Sequence, residues 1–272
     1  MKMKLLIAAL ALAAGSAHAA IDKSTTGNGS LVLSVIDTVS GVSLTVDLGQ
    51  NMNSFLPTSA VTSSGYAQTW DLTANPDWAG AWATYLSATG DLSNDKWVVW
   101  ALDNTDNFAG SDRVLSTSTS AMSLIDDTTN AQLTGIGGIM DIHINAVNQY
   151  GNHATVDNGA SVTYVTDLAA FGGASNAFGT TGKMGTNGYA TWLAWDNVGD
   201  SMPFYLVTNS STSSLSKVSI DTFDNVWGPS SFTLNADGTL VYTAAVPEPE
   251  TYALMLAGLG LVGFIGRRRA RG

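Results

Sequence analysis

A group of five consecutive oxygen-bearing side chains lies at 103–107, where Asp-Asn-Thr-Asp-Asn follows the apolar run KWVVWAL. Calcium prefers clustered oxygen ligands on loops, so Asp103 and Asp106 are candidate ligands. The EF-hand spacing is absent, and an ordinary turn uses the same residue types, because Asn and Asp side chains hydrogen-bond to the nearby backbone. The turn is the favoured interpretation, and calcium is the one cofactor that the sequence leaves open.

Groups that could support catalysis are few. Residues 20–245 contain no Cys and no Glu, and their histidines are His143 and His153. Asp141 and His143 would share a face if their segment were a strand, but not if it were a helix. A Ser-His-Asp triad needs three placed groups, and no GxSxG motif accompanies this pair. We therefore expect a protein that is not an enzyme, with a secreted hydrolase as the weakest alternative.

Aromatic side chains could instead bind sugars by stacking. Trp78, Trp82 and Tyr85 recur at helical spacing near Asn75-Pro76, where a helix over residues 76–87 is predicted. Such a stripe more often packs in a core than binds a ligand. Trp192 and Trp195, in the segment ATWLAW, are the other candidate ligand residues. A carbohydrate-binding module that uses exposed aromatics is the main functional alternative.

The charge of the chain excludes one class of partner. Residues 20–245 carry twenty Asp against five Lys and Arg, a formal charge of −15. This charge would repel phosphate, so no nucleic-acid partner is expected. Asp also favours turns, whereas Glu favours helix interiors, so the composition indicates a turn-rich β protein.

Alternating apolar residues predict many of the elements that would position these groups. LVLSVID and GVSLTVDL predict a hairpin around Thr38–Ser40, and FTLNADGTLVYT predicts another around residues 235–238. Residues 130–148 have helical spacing but also alternate in part, and residues 171–187 are predicted to form a long surface loop. Further strands are predicted at 96–102, 160–165, 189–195, 203–208 and 217–220. The predicted fold is mostly β, an antiparallel β-sandwich or jelly-roll-like domain with one or two packed helices.

The first nineteen residues have the pattern of a signal peptide. Lys2 and Lys4 precede an apolar stretch, and Ala17 and Ala19 are the small residues of a cleavage site. We expect residues 1–19 to direct the chain to the secretion machinery and to be removed by signal peptidase.

The last segment combines a rigid motif, an apolar run and a basic cluster. Val246-Pro247-Glu248-Pro249 precedes an uncharged run over 252–266, predicted to be a helix, and the cluster Arg267, Arg268, Arg269 and Arg271 follows. As a helix the run would span about 22 Å, less than the ~30 Å of bilayer hydrocarbon. Because arginines resist translocation, we expect the C-terminus to stay cytoplasmic while the run is held transiently in the inner membrane.

This arrangement resembles the PEP-CTERM sorting signal of Gram-negative bacteria that export exopolysaccharide. The resemblance implies that exosortase, a membrane-embedded transpeptidase, recognises residues 246–272 and processes the chain near the motif. It implies delivery to the cell surface or extracellular matrix. The expected organisation is a signal peptide over 1–19, an acidic β-rich domain over 20–245 and the sorting signal over 246–272. The expected function is a non-enzymatic structural or interaction role, with exopolysaccharide as a partner.

Overall fold

The computed structural model describes residues 20–105, 109–186, 189–246 and 257–259. Strands dominate these residues. They are β1 (Ser30–Asp37), β2 (Val42–Asn51), β3 (Ala67–Asp71), β4 (Lys96–Asn104), β5 (Asp112–Thr117), β6 (Ala160–Tyr164), β7 (Asp196–Asn197), β8 (Ser201–Thr208), β9 (Ser219–Thr222), β10 (Asp224–Asn225), β11 (Gly228–Pro229), β12 (Ser231–Leu234) and β13 (Thr239–Thr243). The α-helices of five or more residues in the described part are α1 (Ala79–Thr89), α2 (Met122–Asp126) and α3 (Asn130–Val147).

Eleven strands form one sheet in the order β3-β13-β12-β8-β5-β4-β1-β2-β6, with β7 beside β4 and β9 beside β8. Each pairing of the sheet is antiparallel. The sheet curls strongly, as a contact between its two sides shows. Trp70 on edge strand β3 donates from Nε1 to the Leu48 carbonyl at 3.1 Å, and Leu48 lies in β2, next to the other edge strand. The mostly antiparallel β class is confirmed, but eleven of the strands belong to one curled sheet where two stacked sheets were predicted, and β10 and β11 form a separate hairpin.

The inner face of the curl holds one apolar cluster. Alternate residues of β1 (Leu31, Leu33 and Val35) point into it, as the two-residue period of a strand requires. Phe55 lies at its centre, with its ring centroid 5.0 Å from that of Tyr242 and 5.7 Å from that of Phe232. We call this set the inner cluster. It joins strands that are distant in sequence, since β3 pairs with β13.

The outer face is covered by α3 and by residues 171–186 and 189–195. The intervening residues of β1, Val32 and Ile36, belong to this second set, which we call the outer cluster. Phe178 and Met184 are fully buried in it. The prediction of a surface loop over 171–187 is therefore wrong for its apolar side chains, because this irregular segment covers an apolar sheet face.

The two longer helices begin at recognisable signals. Thr129 precedes α3 and accepts a hydrogen bond from the Gln132 amide, while the Gln132 side chain accepts one from the Thr129 amide, a reciprocal cap. This cap and the burial of Leu133, Ile136 and Met140 resolve the ambiguity of 130–148 in favour of a helix. Helix α1 begins at Ala79, three residues after the predicted start.

No helix within the described ranges combines the length and apolar character needed to span a bilayer. The predicted signal peptide lies outside these ranges. So does the predicted tail helix over 252–266, apart from residues 257–259.

Candidate functional site

The proposed calcium ligand Asp103 is engaged by an arginine. Arg113 lies directly opposite it in the β4–β5 ladder and donates from Nε and Nη2 to Asp103 Oδ2 at 2.8 and 2.5 Å. Thr105 donates to the other carboxylate oxygen at 3.0 Å. Asp106 lies outside the described residues. Within the described ranges no three acidic or histidine side chains group as a metal site would require.

Several aspartates instead hold turns. Asp37 accepts from the amides of Val39 and Ser40 in the β1–β2 turn, at 2.7 and 3.1 Å. Asp71 accepts from the amide and hydroxyl of Thr73, which lowers the pKa of the Asp71 carboxyl. The sequence favoured this interpretation, in which short Asp side chains stabilise turns.

The tryptophans proposed as ligand residues do not form an exposed platform. Trp192 is 1% exposed, and Trp195 is half-buried with its ring stacked on Phe178 at 6.5 Å. A Cβ at position 182 would lie 2.1 Å from Trp195 Nε1, so Gly182 provides the space for this ring. Both rings pack on the outer face because residues 189–195 fold onto it. Trp78, Trp82 and Tyr85 are also buried, as the core interpretation predicted.

Asp141 and His143 lie on α3, where residues two apart do not share a face. Asp141 accepts a hydrogen bond from the Ser24 amide at 2.8 Å. The Nδ1 atom of His143 lies 2.9 Å from the Ala169 carbonyl, and burial lowers the pKa of His143 to about 4. Both side chains thus hydrogen-bond to the backbone of segments that pack against α3, Asp141 to Ser24 and His143 to Ala169.

A second histidine contacts a serine that sequence reasoning missed. His153 Nε2 lies 3.2 Å from Ser161 Oγ, and burial lowers the pKa of His153 to about 4, so the ring is neutral near pH 7. Ser161 lines an open groove of about 370 Å³ between α1 and β6, together with Asp77 and Thr84. Ser161 as a whole is only 1% exposed, which limits access of a substrate to its side chain. No local motif marks this pair, since a loop and a strand bring it together.

A buried acid lies beneath α1. The Tyr85 hydroxyl donates to Asp95 Oδ2 at 2.7 Å, and neither residue is exposed. Burial is the largest cause that raises the pKa of Asp95 to about 6, and burial also raises the pKa of Tyr85. This contact joins α1 to the start of β4 and is structural in character.

The chain leaves the folded domain at a defined point. Strand β13 ends at Thr243, the Ala244 amide donates to the Tyr66 carbonyl at 2.9 Å, and Asn225 Nδ2 donates to the Ala245 carbonyl at 2.9 Å. Val246 is half exposed. The predicted motif residues Pro247, Glu248 and Pro249, the arginines 267–269 and 271, and the cleavage residues Ala17 and Ala19 lie outside the described ranges.

Comparison with known proteins identifies this last segment. No curated protein and no solved structure matches the chain. A family model described as the PEP-CTERM protein-sorting motif matches residues 245–269, beginning two residues after β13 ends. The motif indicates export toward the cell surface, with an exosortase as the processing partner. The chain therefore carries the PEP-CTERM sorting motif that its C-terminal residues resemble.

Proposed function

We propose that residues 20–245 form a non-enzymatic, acidic domain that is delivered to the cell surface or exopolysaccharide matrix of a Gram-negative bacterium. The observation that carries this proposal is the match of the sorting motif to residues 245–269. The motif begins almost directly after the last strand, so the folded domain is the cargo that the signal sorts.

The proposed route has three steps. The leader over 1–19 directs export, the apolar run over 252–266 then holds the tail in the inner membrane, and the arginines keep the C-terminus cytoplasmic. Processing by exosortase near the motif then releases the domain. The run is short for a bilayer span, which suits a transient anchor better than a permanent one.

The acidic surface supports a role as a hydrated matrix component. Many aspartates are exposed, at positions 71, 91, 126, 127, 157, 200, 221, 224 and 237. Such carboxylates bind divalent cations weakly, and cations shared with an acidic polysaccharide would hold the two together. Burial of Trp192 gives the carbohydrate-stacking alternative no support.

Mass spectrometry of the extracellular protein from a bacterium with an exosortase tests the route. We expect a mature chain that begins near Ala20 and lacks everything after about Pro247. A P247A/P249A variant should retain its tail and remain with the membrane, while its domain stays folded. An intact chain in the cytosol, with residues 1–19 attached, would overturn the proposal.

Retention on the producer's exopolysaccharide tests the role. We expect the mature domain to be retained when calcium is present and released by a chelator. Equal retention in both conditions would contradict the cation-bridged contact but would leave the sorting route standing.

A further inference from the structure

A small hairpin next to the chain exit carries two exposed apolar side chains at its tip. Strands β10 and β11 pair Asn225 with Gly228, so Val226 and Trp227 form a two-residue turn. Val226 is 89% exposed and Trp227 is 47% exposed. Trp227 is the one exposed tryptophan among the eight in the chain, all of which the structure describes. We call Val226 and Trp227 the exit tip.

Turn geometry does not require these residues to be apolar. Neither Val226 nor Trp227 is at positive φ, and Asn225 and Gly228 occupy the end positions that suit a turn which accepts most residues at its centre. Exposed apolar side chains at such a position carry no packing benefit for the isolated domain. What distinguishes them from other exposed apolar residues, such as Leu215, is that Val226 and Trp227 are adjacent and lie beside the chain exit.

The base of the hairpin is held firmly. Phe223 is fully buried in the inner cluster, with its ring centroid 4.8 Å from that of Phe204. Ser230 is also fully buried, and its amide donates to the Phe223 carbonyl at 2.5 Å. A rigid base fixes the direction of the tip, so the hairpin backbone loses little conformational entropy when the tip is covered.

The exit tip lies beside the point where the chain leaves the domain. Asn225 Nδ2 donates both to the Ala245 carbonyl at 2.9 Å and to the Thr62 carbonyl at 2.8 Å. The apolar run begins at Tyr252, six residues after Val246, and an extended chain of that length spans at most about 20 Å. A tail held in a bilayer therefore keeps the tip within reach of the membrane surface.

We propose that the exit tip inserts into the headgroup region of the bilayer while the tail anchors the chain, an inference that rests on the proposed membrane-held intermediate. Trp is enriched at membrane interfaces, since its ring is apolar and its N–H remains in polar surroundings. Asp221 and Asp224 are exposed nearby, so the tip favours zwitterionic over anionic headgroups.

The contact depends on the tether. Two side chains give weak binding alone, but a short tether raises their effective concentration at the surface to the millimolar range. Processing that removes the tail also removes this advantage. The exit tip thus orients the domain before cleavage and does not retain it afterwards.

Site-directed labelling of the full chain in phosphatidylcholine vesicles tests this contact. The chain has no cysteine, so V226C and V39C each introduce one attachment point for a fluorophore. Val39 is 77% exposed in the β1–β2 turn, and strand directions place this turn at the opposite end of the sheet from the end of β13. A quencher on the lipid headgroups should reduce emission at 226 at least about threefold more than at 39.

The outcomes separate the two proposals. Chain that floats with the vesicles but shows equal quenching at both positions overturns the exit-tip contact and leaves the membrane-held intermediate intact. Chain that does not float overturns both. Without labels, vesicles should protect the wild-type chain from aqueous acrylamide quenching more than a W227F variant, and equal protection would also contradict the contact.

Discussion

The inner and outer faces of the curled sheet are buried in different ways. The inner cluster is filled mainly by side chains of the strands, with α1 and the loop residue Phe55 completing it, and Phe55 has five aromatic rings within 6.3 Å. The outer cluster is covered by α3 and by the irregular residues 171–186 and 189–195, and buried polar groups such as His143 lie against it. The difference indicates that stability is concentrated inside the curl, while the outer cover depends on close backbone approaches and buried polar contacts.

The largest expected effect is from loss of the central inner ring. We expect F55A to lower the free energy of unfolding by about 3–5 kcal/mol, because its cavity is surrounded by other rings. Phe178, fully buried on the outer face, is the matched control. F178A should cost about 2–3 kcal/mol, since an irregular segment can collapse into part of the cavity. Denaturant unfolding measures both, and equal losses would contradict the proposed difference between the faces.

A smaller effect is expected at one helix glycine of the outer cover. A Cβ at position 135 would lie 2.0 Å from the Tyr189 ring, whereas nothing lies within 4 Å of one at position 138. We expect G135A to destabilise the protein by about 1–3 kcal/mol through overpacking. G138A on the same helix should stabilise it by about 0.5–1 kcal/mol. Thermal unfolding of the two variants checks this prediction, and shifts in Tm of similar size and sign would contradict it.

The buried carboxyl of Asp95, on the inner side of the sheet, predicts that the stability of the protein depends on pH. Burial raises the pKa of Asp95 from 3.8 to about 6, so its contribution to stability is present below pH 3.8 and is lost as the pH rises through about 6. We expect D95N, which can still accept from Tyr85, to be more stable than wild type by about 1–2 kcal/mol at pH 7. This advantage should shrink toward pH 4 in urea unfolding, and an advantage independent of pH would argue against it.

A buried histidine of the outer face should give a pH dependence of stability with the opposite sign. Burial lowers the pKa of His143 from 6.5 to about 4, so its contribution is present above pH 6.5 and is lost as the pH falls through about 4. In H143N the amide can still donate to the Ala169 carbonyl. We expect the loss of stability between pH 7 and pH 4 to be about 1 kcal/mol smaller in H143N than in wild type. An unchanged loss would assign the acid sensitivity to other groups, with His153 as the next to test.

Local pattern predicted the hairpins well. The turn at Thr38–Ser40 and the strands at Ser231–Leu234 and Thr239–Thr243 are where alternation placed them. These elements depend on neighbours in sequence, so period and turn residues suffice. Strand β3 was missed because it alternates weakly, and its place is set by pairing with β13 at the far end of the chain.

The candidate site residues also divide into features that local sequence predicts and features that tertiary contacts decide. Asp103 was predicted to lie directly after a strand, whereas β4 extends to Asn104 and includes it, and its partner Arg113 follows from the β4–β5 register. The segment 189–195 was predicted as a strand from its aromatic residues, yet the described part of it forms none and instead buries Trp192 in the outer cluster. Composition alone could not distinguish a stacking platform from a core, because both use the same side chains.

The sequence by itself determined the β class, the aspartate-rich turns and the sorting motif, since each depends on residue types at short spacing. Tertiary structure alone decided that the strands form one curled sheet, which aromatic rings are buried, and that Trp227 lies beside the chain exit. The physical reason is that these features come from contacts between residues far apart in sequence. Their free energy depends on which surfaces meet, and no local pattern contains that information.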